Sequence, residues 1–133
     1  MQGLHLTADL YRCACPAHWL TDADLLGARC LEAVANAGLQ AVAQLVHAFP
    51  ATVHGPGGVT ATVLLAESHL CIHTWPEQGA VTLDVYVCNF AADHSARAQT
   101  LMNEMTGLFA PARVERNFFL RGNMAARGDS VEV

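Results

Sequence analysis

Ala80-Val81-Thr82-Leu83-Asp84-Val85-Tyr86-Val87-Cys88 alternates without a break. Val81, Leu83, Val85 and Val87 fall on one side of an extended chain, and Thr82, Asp84, Tyr86 and Cys88 on the other. A period of two, rich in β-branched and aromatic side chains, reads as a strand with one face in a core and one polar face. Upstream, Pro76-Glu77-Gln78-Gly79 has the composition of a turn. Residues 70–75 and 59–66 read as two further strands. Connections this short allow only antiparallel pairing, so this part of the chain predicts a meander.

The same pattern recurs towards the N-terminus. Leu4, Leu6, Ala8 and Leu10 alternate with His5, Thr7, Asp9 and Tyr11 over residues 3–11. Residues 39–49 predict another strand, and residues 50–58, with two prolines and three glycines, a flexible loop. Thr21-Asp22-Ala23-Asp24 predicts a helix start, with Thr21 as cap and acids at the positive end of the dipole. Leu26, Cys30, Ala33, Val34 and Ala37 form the apolar face of that helix, Arg29, Glu32 and Asn36 the opposite one, and Gly38 its stop. A second helix is predicted over about 93–108, with Ala98, Leu101, Met102, Met105, Leu108 and Phe109 at helical spacing. A last strand, 113–120, precedes a tail from Gly122 that is expected to be mobile.

The order β-α-β-β-β-β-α-β predicts one α+β domain over residues 1–133, a two-layer sandwich of a mostly antiparallel sheet with two helices on one face. The uncovered face then needs a site or a partner. The expectation is a homodimer with sheets facing each other, an αββα sandwich, on the ground that a large apolar sheet face rarely stays wet.

The chain has 133 residues, a formal charge of −5 and no lysine, all seven basic residues being arginine. Codon preference is the leading explanation of that absence, but the exclusions hold whatever the cause. A P-loop is ruled out, and so is any lysine aldimine or lysine Schiff-base chemistry. A carbonyl for imine formation must come from elsewhere. The acidic balance argues against nucleic acid. No apolar run approaches the roughly 20 residues of a membrane span, and residues 1–9 lack the pattern of a signal peptide. The expectation is a cytoplasmic protein with Cys13, Cys15, Cys30, Cys71 and Cys88 reduced. Their spacing fits no zinc ribbon, and no resident metal is expected.

Chemistry concentrates in Ala66-Glu67-Ser68-His69-Leu70-Cys71-Ile72-His73-Thr74-Trp75-Pro76-Glu77. On a strand, Cys71 and His73 share a face, with His69 near its entrance and Cys88 across the ladder. Three functional readings stay open on the residues alone. His69, Cys71, His73 and Cys88 are of the types that ligate zinc. A cysteine beside a histidine is a candidate nucleophile. Ser68 is a candidate for attack on its own backbone. The plain alternative is that the histidines are satisfied surface groups and the cysteines small apolar ones.

Glu67-Ser68-His69-Leu70 followed by Ile72-His73-Thr74-Trp75-Pro76-Glu77 closely resembles the processing motif of the small prokaryotic S-adenosylmethionine decarboxylases. The spacing to Cys88, the opening Gly3-Leu4-His5-Leu6 with Asp9-Leu10-Tyr11, and His47-Ala48-Phe49 extend the resemblance over residues 3–121. The resemblance implies a self-made pyruvoyl cofactor. Ser68 would attack the Glu67 carbonyl, and elimination and hydrolysis would leave a β chain, 1–67, and an α chain, 68–133, that begins with the ketone. The substrate amine would condense there. The resemblance further implies His73 as the acid–base of processing, Thr60 as its hydroxyl support, Cys88 as the proton donor in turnover, and Phe49 and Glu77 as substrate contacts. Glu77 as a mere turn cap is the alternative.

Several positions depart from the family pattern. Ala66 stands where relatives usually carry Ser, Cys71 where they carry Thr or Ser, Val59-Thr60-Ala61 for Val-Ser-Gly, and Asn89 for Gly, while the 50–58 loop looks longer. These changes leave arginine or ornithine as alternative substrates, and a binding protein that no longer processes as a third reading.

Overall fold

Six strands and three α-helices account for the secondary structure of the computed structural model, which describes residues 2–89 and 92–122. The strands are β1 (Gly3–Cys13), β2 (Ala41–Ala48), β3 (Val59–Leu65), β4 (Ser68–Trp75), β5 (Ala80–Cys88) and β6 (Pro111–Arg121). The helices are α1 (His18–Thr21), α2 (Ala23–Asn36) and α3 (Ser95–Phe109), with a 3-10 turn at Pro76–Gln78. The strands form one sheet in the order β2-β3-β4-β5-β1-β6, antiparallel at every pairing. The tail expected from Gly122 lies, beyond Gly122 itself, outside the described residues.

Alternation fixes the two faces. Leu4, Leu6, Ala8 and Leu10 of β1, Val59, Ala61, Val63 and Leu65 of β3, Leu70 and Ile72 of β4, and Val81, Leu83, Val85 and Val87 of β5 are all buried. Onto them pack Leu26, Cys30, Ala33 and Val34 of α2 and Ala98, Leu101, Met102, Met105 and Phe109 of α3. Arg29 and Asn36 of α2 donate to Glu104 of α3, at 2.6 and 3.1 Å, and tie the two helices into one layer.

The helix starts differ from expectation. Asp22, not Thr21, caps α2, its Oδ1 accepting the Leu25 N–H at 3.1 Å. Thr21 instead ends α1, a helix absent from the periodicity reading, and its hydroxyl donates back to the Ala17 carbonyl. α1 is held by Thr74, the one buried polar side chain among the described residues. Its hydroxyl donates to the Leu20 carbonyl at 2.7 Å and accepts the Val59 N–H at 2.8 Å. α2 stops at Gly38, whose φ of +78° is free for glycine. The Gly38 and Leu39 N–H groups then close on the carbonyls of Ala35 and Val34.

No helix covers the second face, which carries His5, Thr7 and Tyr11 of β1, Thr82, Asp84 and Tyr86 of β5, and His69, Cys71 and His73 of β4. The face is therefore not the uniformly apolar one from which a dimer was expected. It is mostly polar and titratable, with exposed Leu45 of β2, Leu64 of β3 and Phe119 of β6 added to it.

Candidate active site

The turn between β3 and β4 consists of Ala66 and Glu67, with Leu65 paired to Ser68 across it. Glu67 sits at φ +54°, the left-handed region that costs a residue with a Cβ about 1–2 kcal/mol. The peptide that follows is the Glu67–Ser68 bond, so the strain adjoins the bond singled out from sequence. β4 begins at Ser68, two residues earlier than expected. The Ser68 Oγ accepts the Cys88 N–H at 3.0 Å, which fixes the hydroxyl at the end of β5. Glu67, Ser68, His69, Tyr86, Arg121 and Gly122 line a cavity of about 360 Å³ there.

His73 is elsewhere. It lies five steps along β4 from Ser68, roughly 17 Å at 3.4 Å per residue. His73 Nδ1 and the Thr60 hydroxyl lie 2.8 Å apart. Both line a second, larger cavity of about 620 Å³ with Phe49, Trp75 and Glu77. The 50–58 loop supplies its wall through Pro50, Thr52, His54 and Pro56. Gly58 lets that loop pass against β4, because a Cβ there would lie 2.0 Å from the Thr74 carbonyl oxygen. Glu77 is not needed to close its turn, which the Gly79 N–H closes on the Pro76 carbonyl.

The candidate residues thus fall into two groups. Ser68, Glu67 and Cys88 meet at one end of the β4–β5 ladder. Thr60, His73, Phe49 and Glu77 meet at the other. The zinc-type set of His69, Cys71, His73 and Cys88 is not gathered: it is strung along β4, with Cys88 beyond its far end. Within it only Cys71 Sγ and His73 Nε2 approach, at 3.6 Å.

Sequence reasoning missed a third group. His5 Nε2 and His69 Nε2 both reach Asp84 Oδ2, at 2.9 and 2.7 Å. A carboxylate only accepts, so both imidazoles donate to it. Arg121 donates to His5 Nδ1 at 3.1 Å, which makes His5 a neutral Nε2–H tautomer. Burial raises the Asp84 pKa, but the two imidazole bonds outweigh it and hold the carboxyl below its ordinary value. Among the described residues these three side chains are a set with metal-ligand spacing, their atoms within 4.8 Å of one another. The Arg121 guanidinium and the proton it pins on His5 Nε2 both oppose a cation there. Their alternating positions on β1, β4 and β5 were the available signal, but only the register aligns them.

All five cysteines are free. Burial pushes the Cys30 thiol up to about 12 and the Cys13 thiol up to about 11, the latter with help from Cys15, and raises Cys15 as well. A protonated thiol is a poor nucleophile, which disfavours these three; Cys71 and Cys88 lie on the open face.

The family model described as S-adenosylmethionine decarboxylase matches residues 4–122. The chain belongs to the S-adenosylmethionine decarboxylase family. Three curated relatives carry the name S-adenosylmethionine decarboxylase proenzyme. That of Parasynechococcus marenigrum is 37% identical over 98% of this chain and 94% of its own. That of Aquifex aeolicus is 36% identical over 90% and 81%, and that of Acidithiobacillus ferrooxidans 32% over 95% and 86%. The crystal structure of the adenosylmethionine decarboxylase from Aquifex aeolicus superimposes with a TM-score of 0.73, at 34% identity over 88% of both chains. As an S-adenosylmethionine decarboxylase family chain, this protein has the α+β fold expected from its strand and helix order. No helix among its described residues is long and apolar enough to cross a membrane.

Proposed function

We propose that this chain is a self-processing, pyruvoyl-dependent S-adenosylmethionine decarboxylase, a carboxy-lyase of polyamine synthesis acting in the cytoplasm as a homodimer. The observation that carries the reading is the Glu67–Ser68 junction. A strained residue precedes a serine whose hydroxyl is held by the Cys88 N–H, inside a family match that spans the chain. Every relative described above is named for S-adenosylmethionine, so arginine and ornithine decarboxylation and loss of processing are the weaker readings.

In processing, Ser68 Oγ attacks the Glu67 carbonyl carbon and the amide becomes an ester. Removal of the Ser68 α-hydrogen expels the Glu67 carboxylate. Water then hydrolyses the dehydroalanine left at residue 68 and ammonia departs, leaving a β chain, 1–67, and an α chain from residue 68. Once formed, the pyruvoyl ketone supplies the electron sink for carbon dioxide loss. Cys88, beside Ser68, delivers the proton to the substrate α-carbon. Phe49, Pro50 and Trp75 offer flat and apolar walls for a purine, and the Glu77 carboxylate suits ribose hydroxyls or a sulfonium charge.

His73, supported by Thr60, serves as acid–base from a second copy. At roughly 17 Å along its strand it does not reach Ser68 of its own chain. Two sheets packed through their open faces in opposite directions would set the His73 cavity of one copy against the Ser68 cavity of the other. The polar character of that face fits such a shared site.

Denaturing mass spectrometry tests processing. The expected result is two fragments divided between Glu67 and Ser68, with a blocked N-terminus on the second. A chain that stays intact after prolonged native incubation overturns the enzyme reading. Ser68→Ala should abolish the cut, and Cys88→Ala should cut but turn over poorly. Carbon dioxide release from S-adenosylmethionine, arginine and ornithine in parallel tests the substrate.

A further inference from the structure

The acyl shift that begins processing needs a base for the Ser68 hydroxyl and an acid for the departing nitrogen. His73 of the same chain is too distant for either, and His73 of a second copy is taken up by the later α-hydrogen step. The histidine that lines the Ser68 cavity is His69. Its Nε2 donates to Asp84 Oδ2 at 2.7 Å. Among the described residues its Nδ1 has no partner. Asp84 is itself anchored by His5, and His5 by Arg121. This chain of contacts crosses β4, β5, β1 and β6, the rigid middle and edge of the sheet. An imidazole oriented through one nitrogen by an ionised carboxylate, with its other nitrogen unpartnered and lining the same cavity as the serine, is the arrangement of a general base and its orienting acid.

We propose that His69 is the acid–base residue of the acyl shift, with Asp84 and His5 as positioning residues. This rests on the processing reading above. Nδ1 of His69 takes the Ser68 hydroxyl proton as Oγ bonds to the Glu67 carbonyl carbon. The C–N bond between Glu67 and Ser68 then breaks, and the same imidazolium returns that proton to the Ser68 nitrogen. One bond forms, one breaks, and no outside reactant is consumed. The later removal of the α-hydrogen is left to His73. Asp84 stabilises the imidazolium while it exists. His5, Tyr86, Arg121 and Glu67 are the other titratable or charged groups around His69. His5 and Tyr86 sit edge-on and tilted to its ring at 5.8 and 5.9 Å, and Arg121 and Glu67 share its cavity.

The test is the rate of cleavage of freshly made full-length precursor. His69→Gln keeps an N–H where Nε2 donates to Asp84 and removes only the base. Its cleavage should slow about 100- to 10,000-fold, the usual range for a lost general acid–base, with the melting temperature unchanged. The stalled chain should still be an amide, so neutral hydroxylamine should not cut it at Glu67. In His69→Ala, added imidazole should raise the rate, which a structural role would not allow. Asp84→Asn should slow cleavage less, with an altered pH profile. Wild-type rates in His69→Gln, a hydroxylamine-labile ester accumulating in it, or no gain from imidazole in His69→Ala each overturn the proposal. Wild-type precursor that never cuts overturns the processing reading instead, so the two failures are distinct.

Discussion

A glutamate at φ +54° carries a cost that glycine does not. Glu67 therefore stores local strain beside the bond that Ser68 is proposed to attack, and cleavage releases it. In a Ser68→Ala background, where the chain stays whole, Glu67→Gly should stabilise the precursor by about 1 kcal/mol, read as a rise in melting temperature. An unchanged or lower value would show that the turn is not strained. Nothing in the composition of Glu67-Ser68 announces this conformation, because only the two-residue connection of β3 to β4 demands it. Gly3 is a second position legible only in three dimensions. A Cβ there would lie 2.4 Å from the Tyr86 hydroxyl, so glycine makes room for the ring that lines the Ser68 cavity.

The elements themselves were largely readable from periodicity. β5 spans the residues its alternation predicts, because a half-buried strand must alternate. Boundaries moved where a side chain had two partners to choose from. Thr21 and Asp22 both suit a cap, and Asp22 takes the position while Thr21 closes α1. α1 itself has four residues, too short for a helical period. Contacts between elements are testable through Glu104. Burial raises its pKa, but the bonds from Arg29 and Asn36 bring it below the ordinary 4.5. A carboxyl depressed on folding stabilises the protein above its unfolded value and loses that contribution as pH falls through the folded one. Glu104→Gln should thus cost up to about 1 kcal/mol at neutral pH, as partly exposed pairs do. Denaturant melts of variant and parent should converge as pH drops below the glutamate range, and a gap that persists in acid would assign the effect to packing.

At the scale of the molecule, strand order decides what sequence could not. β1 enters between β5 and β6, which brings His5 beside Asp84 across 79 residues of chain. No local pattern encodes that insertion, so the His5–Asp84–His69 cluster appears only once the sheet is assembled. The same geometry parts Ser68 from His73, which lie close in sequence but far apart along one strand. The separation makes a sharp demand on the proposed homodimer, since each Ser68 must meet the His73 of the other copy. A chain carrying Ser68→Ala has no bond to process but keeps His73. A chain carrying His73→Ala keeps Ser68 but lacks the acid–base. Neither should be cut alone. Co-expressed, the mixed dimer holds one complete site, formed by His73 of the first chain and Ser68 of the second. Fragments divided between Glu67 and Ser68 should then appear from the His73→Ala chain only, distinguishable by a mass tag. If both chains stay whole on mixing while mixed dimers form, His73 acts within its own chain and the facing-sheet arrangement is wrong.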